Sequence, residues 1–299
     1  MFDKQKVFLG MAPIGWCNDD MPELGAENTF RQTVSEMALA GFTGSEIGNK
    51  YPTDPKELKW ELDLRGMRIA SRWFSSFLLT QPYEEVEKAF IQELEFLAAV
   101  GANRINVSEQ SHSIQGQVDT PVLGDKKHVM TPQEWERFCH GLNKLGKVAA
   151  ERGFKLCFHH HMGTVVQTAE ETDYMLANTD PEYVWLCYDT GHFTFAGESP
   201  LTMLEKHADR VGHVHLKDMR RDVVDRVKPE GWSFLKAVRE GAFTVPGDGC
   251  VDFDPILKKL SDAKYEGWLL VEAEQDPAKA NPLEYAIKAR NYIREHAGL

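Results

Sequence analysis

A chain of 299 residues, 42% hydrophobic and 27% charged, can bury the core of one large α/β domain or of two smaller ones. Its net charge of −12 excludes a nucleic-acid backbone or an anionic membrane surface as the main partner, because both call for clustered Lys and Arg. The one basic segment, KDMRR at 217–221, is local and suits a small polar or anionic ligand.

In chain order, short apolar or β-branched runs stand at 7–13, 43–48, 67–74, 103–108, 154–160, 184–189, 211–216 and 267–272. Segments of helical period separate them. The clearest is 84–100, where Val86, Phe90, Leu94 and Leu97 fall on one face. Thr29 with Gln32, and Thr131-Pro132 with Glu134, read as capping boxes at helix starts. Asp180-Pro181 and Ser199-Pro200 mark further starts, and the glycines of AVG, ERG and YEG close helices before the next strand.

Eight strands that alternate with helices predict a (β/α)8 TIM barrel, one domain over residues 1–299. A doubly wound sheet would carry a Gly-rich phosphate loop after its first strand, and APIGWCNDD stands there instead. The longest irregular stretches, 109–130 and 217–253, follow the carboxyl ends of strands four and seven, where barrels place their binding loops. The N-terminal apolar run is too short for a signal peptide, and no stretch approaches a membrane span. Five cysteines without a C-x-x-C pair read as reduced thiols of a cytoplasmic protein.

Metal-ligating residue types recur at the ends of consecutive strands: His159-His160-His161, Asp189, His215 and Glu272. Strand alternation turns His159 and His161 to one face and His160 to the other. Neighbouring barrel strands then bring one His, one Asp, one His and one Glu to a point. Such a nitrogen and oxygen set suits Mn, Co, Fe or Zn and is too nitrogen-rich for Mg or Ca. Whether His159 or His161 is the strand-five ligand stays open.

YDTGH, HVHLKD, VPGDGCVDF and GWLLVE resemble the xylose-isomerase-like superfamily of metal-dependent barrels, which holds ketose epimerases, sugar isomerases and inosose dehydratases. Within it, residues 12–30, 41–52 and 158–168 resemble the myo-inosose-2 dehydratase family, and the likeness runs essentially the whole chain. The resemblance implies a hydro-lyase of inositol catabolism that dehydrates 2-keto-myo-inositol (scyllo-inosose) to a trihydroxycyclohexane-1,2-dione. It also implies Mn or Co as cofactor, and glutathione enters on the resemblance alone. By the same resemblance Asp189, His215 and Glu272 are metal ligands, and His192 and Arg221 contact substrate. His159 departs from it, standing where epimerases of the superfamily carry a ligand glutamate.

That departure fits an elimination. With Asp189 and Glu272 as the only anionic ligands a divalent ion is just neutralised, and its Lewis acidity is kept. His161 is the first candidate for proton transfer and Lys217, expected to be shifted toward its neutral form beside a cation, the second; Glu272 is counted with them as well as among the ligands. Trp16, Asn18, Glu46, Lys50 and Glu109 are candidates to line a polar pocket for a hydroxyl-rich ring, Trp16 with a buried core role as its alternative. The substrate class is a small polyhydroxylated cyclic ketone, and a homo-oligomer is compatible with all of this. A ketose 3-epimerase or sugar isomerase on the same barrel is the main alternative. A non-catalytic sugar-binding barrel and a nuclease are weaker ones.

Overall fold

Each apolar run becomes a strand because its alternate residues have two apolar surroundings to fill, the barrel interior and the layer under the helices. The computed structural model describes residues 1–299. Its strands are β1 (Val7–Met11), β2 (Gly44–Ile47), β3 (Arg68–Ser76), β4 (Arg104–Glu109), β5 (Lys155–His159), β6 (Val184–Asp189), β7 (Val211–Leu216), β8 (Asp218–Met219), β9 (Phe243–Thr244) and β10 (Gly267–Val271). Eight close into a parallel barrel in the order β1-β10-β7-β6-β5-β4-β3-β2, while β8 and β9 form a separate antiparallel pair. This is the expected (β/α)8 architecture. The excursion after β7 is larger than a single loop and adds two short helices, Arg221–Val227 and Phe234–Arg239.

The helix Tyr83–Ala99 buries Val86, Phe90, Leu94 and Leu97 against the barrel, the face its periodicity marks. Thr131 and Glu134 make both halves of a capping box. Thr29 makes only one: it accepts from Gln32 N–H, but the Gln32 side chain turns away to Glu36. Ser199 caps the helix Pro200–His207. No helix is long and apolar enough to cross a membrane. All five cysteines are unpaired, and four are buried.

Val7, Leu9 and Met11 face the main core between strands and helices, so Phe8, Gly10 and Ala12 face inward. Inside, Ala12, Ala70, Trp268 and Leu270 form a small apolar plug with Phe8 beside it. The Arg68 guanidinium lies 4.3 Å from the Phe8 ring centroid and 5.1 Å from that of Trp268. Beyond the plug the buried interior turns polar, with Glu46, Asn106, His213 and His215. Register pairs Asp189 with His215, whereas His159 lies opposite Cys187 and His215 opposite Leu270. His159 and Glu272 thus stand one inward-facing position to either side of the Asp189–His215 pair, and the tilt of the barrel strands lets the four side chains converge.

The plug depends on missing side chains. A Cβ at Gly44 would overlap the Trp268 ring, and one at Gly10 would come 2.7 Å from Leu270 Cδ1. Gly44→Ala should lower stability by about 1–3 kcal/mol, the usual range for overpacking. A urea titration checks this, with the midpoint moved and the slope unchanged.

Candidate active site

The strand ends meet around His215. Its Nδ1 lies 2.7 Å from Glu272 Oε2, 3.1 Å from His159 Nε2 and 3.4 Å from Asp189 Oδ2. His159 Nε2 is 3.4 Å from the same Asp189 oxygen. That oxygen is buried and has no hydrogen-bond partner, whereas Asp189 Oδ1 caps the helix Thr190–Phe195 by accepting from His192 N–H. Ligand atoms on a tetrahedral or octahedral ion with bonds near 2.1 Å stand about 3.0–3.4 Å apart. The four side chains thus fit a divalent ion, and the orphaned Asp189 oxygen is the atom such an ion would satisfy.

Lys217, just past the carboxyl end of β7, is fully buried beside this cluster. Its ammonium donates to Glu272 Oε1 at 2.9 Å and Glu274 Oε1 at 3.0 Å, and lies 3.3 Å from Asp189 Oδ2. The expectation of a neutral lysine concerns a site that holds an ion; without one the balance is different. Burial alone would favour the neutral amine, but Asp189, Glu272 and Glu274 together raise its pKa well above the ordinary lysine value. Asp218 is not its partner, since that carboxylate accepts backbone N–H bonds from Gly247, Gly249 and Val251. Burial pushes Glu272 up, but His215 and Lys217 bring it down to about 2. Burial raises Glu274 to about 7, with Lys217 only partly offsetting it.

The three adjacent histidines separate as strand alternation requires. His160 faces away from the cavity, its ring stacked 3.7 Å from Phe193, and burial lowers its pKa to about 3. His161 lines a cavity of about 450 Å³ over the cluster, whose wall also includes Glu46, His215, Glu272 and Glu274. Its Nδ1 is 2.9 Å from the Met162 carbonyl, which can only accept, so Nδ1 carries the hydrogen and Nε2 keeps the lone pair. Burial, with His159 and Lys217 nearby, holds the ring well below the usual histidine range and therefore neutral. His192 is buried behind it, ring centroids 4.0 Å apart, and is absent from the cavity wall.

Several residues expected to contact substrate do other work. Trp16 is wholly buried in the core and donates to Glu36 at 2.6 Å. Asn18 folds its own loop by accepting from Asp20 and Met21 N–H. Lys50 donates to the carbonyls of Gly25, Ala26 and Asn28, tying that loop down. Glu109 is spent on Ser76 and the backbone N–H groups of Leu78 and Ser111. Arg221 is exposed and lies 4.0 Å from Asp225, off the cavity wall. Trp16 belongs to the core, and the other four are polar residues near strand ends whose hydrogen bonds are taken up by neighbouring backbone, side chains or solvent.

The wall instead contains Trp73, whose ring centroid is 5.5 Å from that of His161, together with Arg72, Asn106 and Glu274. Asp19 and Asp20 come from the GWCNDD loop, and Gln115 Nε2 donates to Asp20 Oδ2 at 3.0 Å across the mouth. Glu274 had a signal in the sequence: it stands two residues beyond Glu272 and shares its face. No local pattern distinguishes Trp73, which comes from the end of β3, or Gln115, which arrives on the loop after β4.

The sequence matches the family described as xylose isomerase-like TIM barrel over residues 34–296. It is 62% identical over 293 residues to an inosose dehydratase of Clostridium perfringens, covering 98% of each chain. It is 60% identical to an inosose dehydratase of Clostridium tetani over 299 residues, covering 100% of each. Among solved structures, the IOLI protein with a binding zinc atom superimposes with a TM-score of 0.71 at 14% identity, covering 97% of this chain and 98% of that one. That last likeness is one of fold.

Removing the Lys217 cation should leave Asp189, Glu272 and Glu274 uncompensated. Lys217→Met should cost the metal-free protein about 3–5 kcal/mol, the usual penalty for breaking a buried ion pair. Arg221→Ala, at an exposed position, should stay within about 0.5 kcal/mol. Denaturant unfolding of both variants tests the contrast, and equal losses would contradict the placement of Lys217.

Proposed function

Because the chain belongs to the inosose dehydratase family of xylose isomerase-like TIM barrels, we propose that it removes water from 2-keto-myo-inositol. The product is a trihydroxycyclohexane-1,2-dione, and the enzyme serves inositol catabolism as a cytoplasmic hydro-lyase. The observation that carries the reading is the pairing of two features: a polar cavity of about 450 Å³, and four converging ligand side chains at its base. His159, Asp189, His215 and Glu272 would hold a divalent ion, Mn or Co, and a barrel of the same fold, the IOLI protein, has a binding zinc atom, which supports a metal here. When bound, such an ion supplies Lewis acidity for the substrate carbonyl.

The chain's own groups divide the proton transfers. His161 presents a neutral Nε2 to the cavity and takes the proton from the carbon next to the ketone. The C–H electron pair becomes a C=C bond as the hydroxyl on the following carbon departs, and Glu274 protonates that hydroxyl so that it leaves as water. A nitrogen of His161, one of His192 and an oxygen of Glu274 lie within 4.8 Å of one another, so base and acid serve one side of the ring. The resulting enol takes a proton at the former hydroxyl-bearing carbon and becomes the second ketone beside a new methylene. Lys217 holds Glu272 and Glu274 in place through its two hydrogen bonds. Trp73, Asn106 and Arg72 supply the wall against which the hydroxyl-rich ring is oriented.

Chelation should abolish turnover of scyllo-inosose, and Mn or Co should restore it, while tagatose and fructose stay unchanged by the loaded enzyme. Full activity after verified metal removal would end the metal-centre reading. His161→Ala should keep metal occupancy and lower kcat by roughly 10²–10⁴. His160→Ala, stacked away from the cavity, should leave both nearly intact.

Run in deuterated water, the reaction should place one solvent deuterium in the product's new methylene. Mass spectrometry of product quenched early reads this directly. A methylene without deuterium would rule out the enol route, because the proton added there comes from solvent-exchanged groups.

A further inference from the structure

One interior carboxylate oxygen collects an unusual number of donors. Glu46 Oε1 accepts from Ser71 Oγ, from Asn106 Nδ2 at 2.7 Å, and from His213 Nε2 and His215 Nε2, each at 3.1 Å. Glu46 stands on β2 and His215 on β7, strands that are not neighbours in the barrel, so this bond crosses the interior. The Oε2 atom makes none of these bonds, and Glu46 forms part of the cavity wall. Sequence reasoning offers Glu46 as a pocket residue. The geometry gives it a second task.

We infer that Glu46 is a positioning residue that fixes which ring nitrogen His215 turns to the ligand cluster. An ionised carboxylate only accepts, so the His215 nitrogen facing it, Nε2, must carry hydrogen. Nδ1 carries hydrogen too in the metal-free protein, where it meets Glu272 Oε2 at 2.7 Å. It is the nitrogen free to give up that proton to an ion while Nε2–H stays on Glu46. Nδ1 is also the atom that faces Glu272 Oε2, His159 Nε2 and Asp189 Oδ2. Carboxylates behind ligating histidines orient the ring and set its tautomer in this way. Asn106 Nδ2 lies 3.3 Å from His215 Nε2, but both are donors, and its bond is the shorter one to Glu46. Asn106 and Ser71 therefore hold the carboxylate, and the carboxylate holds the histidine. A shorter side chain at position 46 would end one methylene short of β7. The inference rests on the metal-centre reading above, with His215 as a ligand.

Zinc serves as the probe because it is diamagnetic. In zinc-loaded wild-type protein, ¹⁵N NMR of labelled histidines should show His215 bound through Nδ1 and protonated at Nε2. Glu46→Gln and Glu46→Asp should weaken zinc binding by about 10–100-fold in chelator competition, the usual cost of losing an outer partner of a ligand. His213→Gln touches the same Glu46 oxygen without being a ligand, and should leave the zinc affinity unchanged. His215 bound through Nε2, or Glu46 variants that hold zinc as tightly as wild type, would overturn the role of Glu46 alone. Wild-type protein that takes up no zinc would instead overturn the metal centre. Should the Glu46 variants not fold, the wild-type spectrum still decides, since the tautomer is read without any substitution.

Discussion

The ammonium of Lys217, sealed among the strand ends, is the constraint on which the rest of the site depends. Asp189, Glu272 and Glu274 approach one another inside a barrel with little water to screen them. Carboxylates in such a place either neutralise or find a cation. Lys217 supplies one positive charge and three donors, and so allows Glu272 and Asp189 to remain ionised side by side. Glu46, Asp189 and Glu272 bring three negative charges to the same region.

This arrangement separates holding from reacting. Two of the groups that hold, Lys217 and His192, are buried, bonded to each other and to neighbours, and lie off the cavity wall. His161 and Glu274 line the cavity, each with an atom free of protein partners. His161 offers Nε2, while Glu274 keeps a buried oxygen without a partner. The barrel makes such a division simple to build, because strand alternation sends each second residue inward and the loops complete the wall. The apolar plug of Trp268, Leu270, Ala12 and Ala70 supports the polar layer from beneath and keeps it from collapsing inward.

Much of the fold was legible because its elements are locally specified. Val86, Phe90, Leu94 and Leu97 declare a helix face without reference to the rest of the chain, and Thr131 with Glu134 declares its neighbour's start. Gln32 shows the limit of such signals: its side chain had a competing partner in Glu36, one turn along the same helix. At the site, the four converging ligand positions follow from strand-end position and parity. The pocket residues do not. Lys50, Glu109 and Arg221 are polar and close to strand ends, but a loop carbonyl, a backbone N–H or solvent claimed each of them first.

By itself the sequence determined the eightfold alternation, the separation of His160 from His159 and His161, and the inward parity of Asp189, His215 and Glu272 near their strand ends. These follow from the period of two along a strand and from caps written in neighbouring residues. Only the tertiary structure decided that Lys217 is enclosed among three carboxylates, and that Glu46 reaches across the barrel to His215. It also decided that Trp73 and Gln115, rather than Trp16 and Lys50, complete the cavity wall. The reason is the same in each case. A side chain's charge and orientation depend on groups up to 169 residues away, and no local pattern records which distant partner arrives.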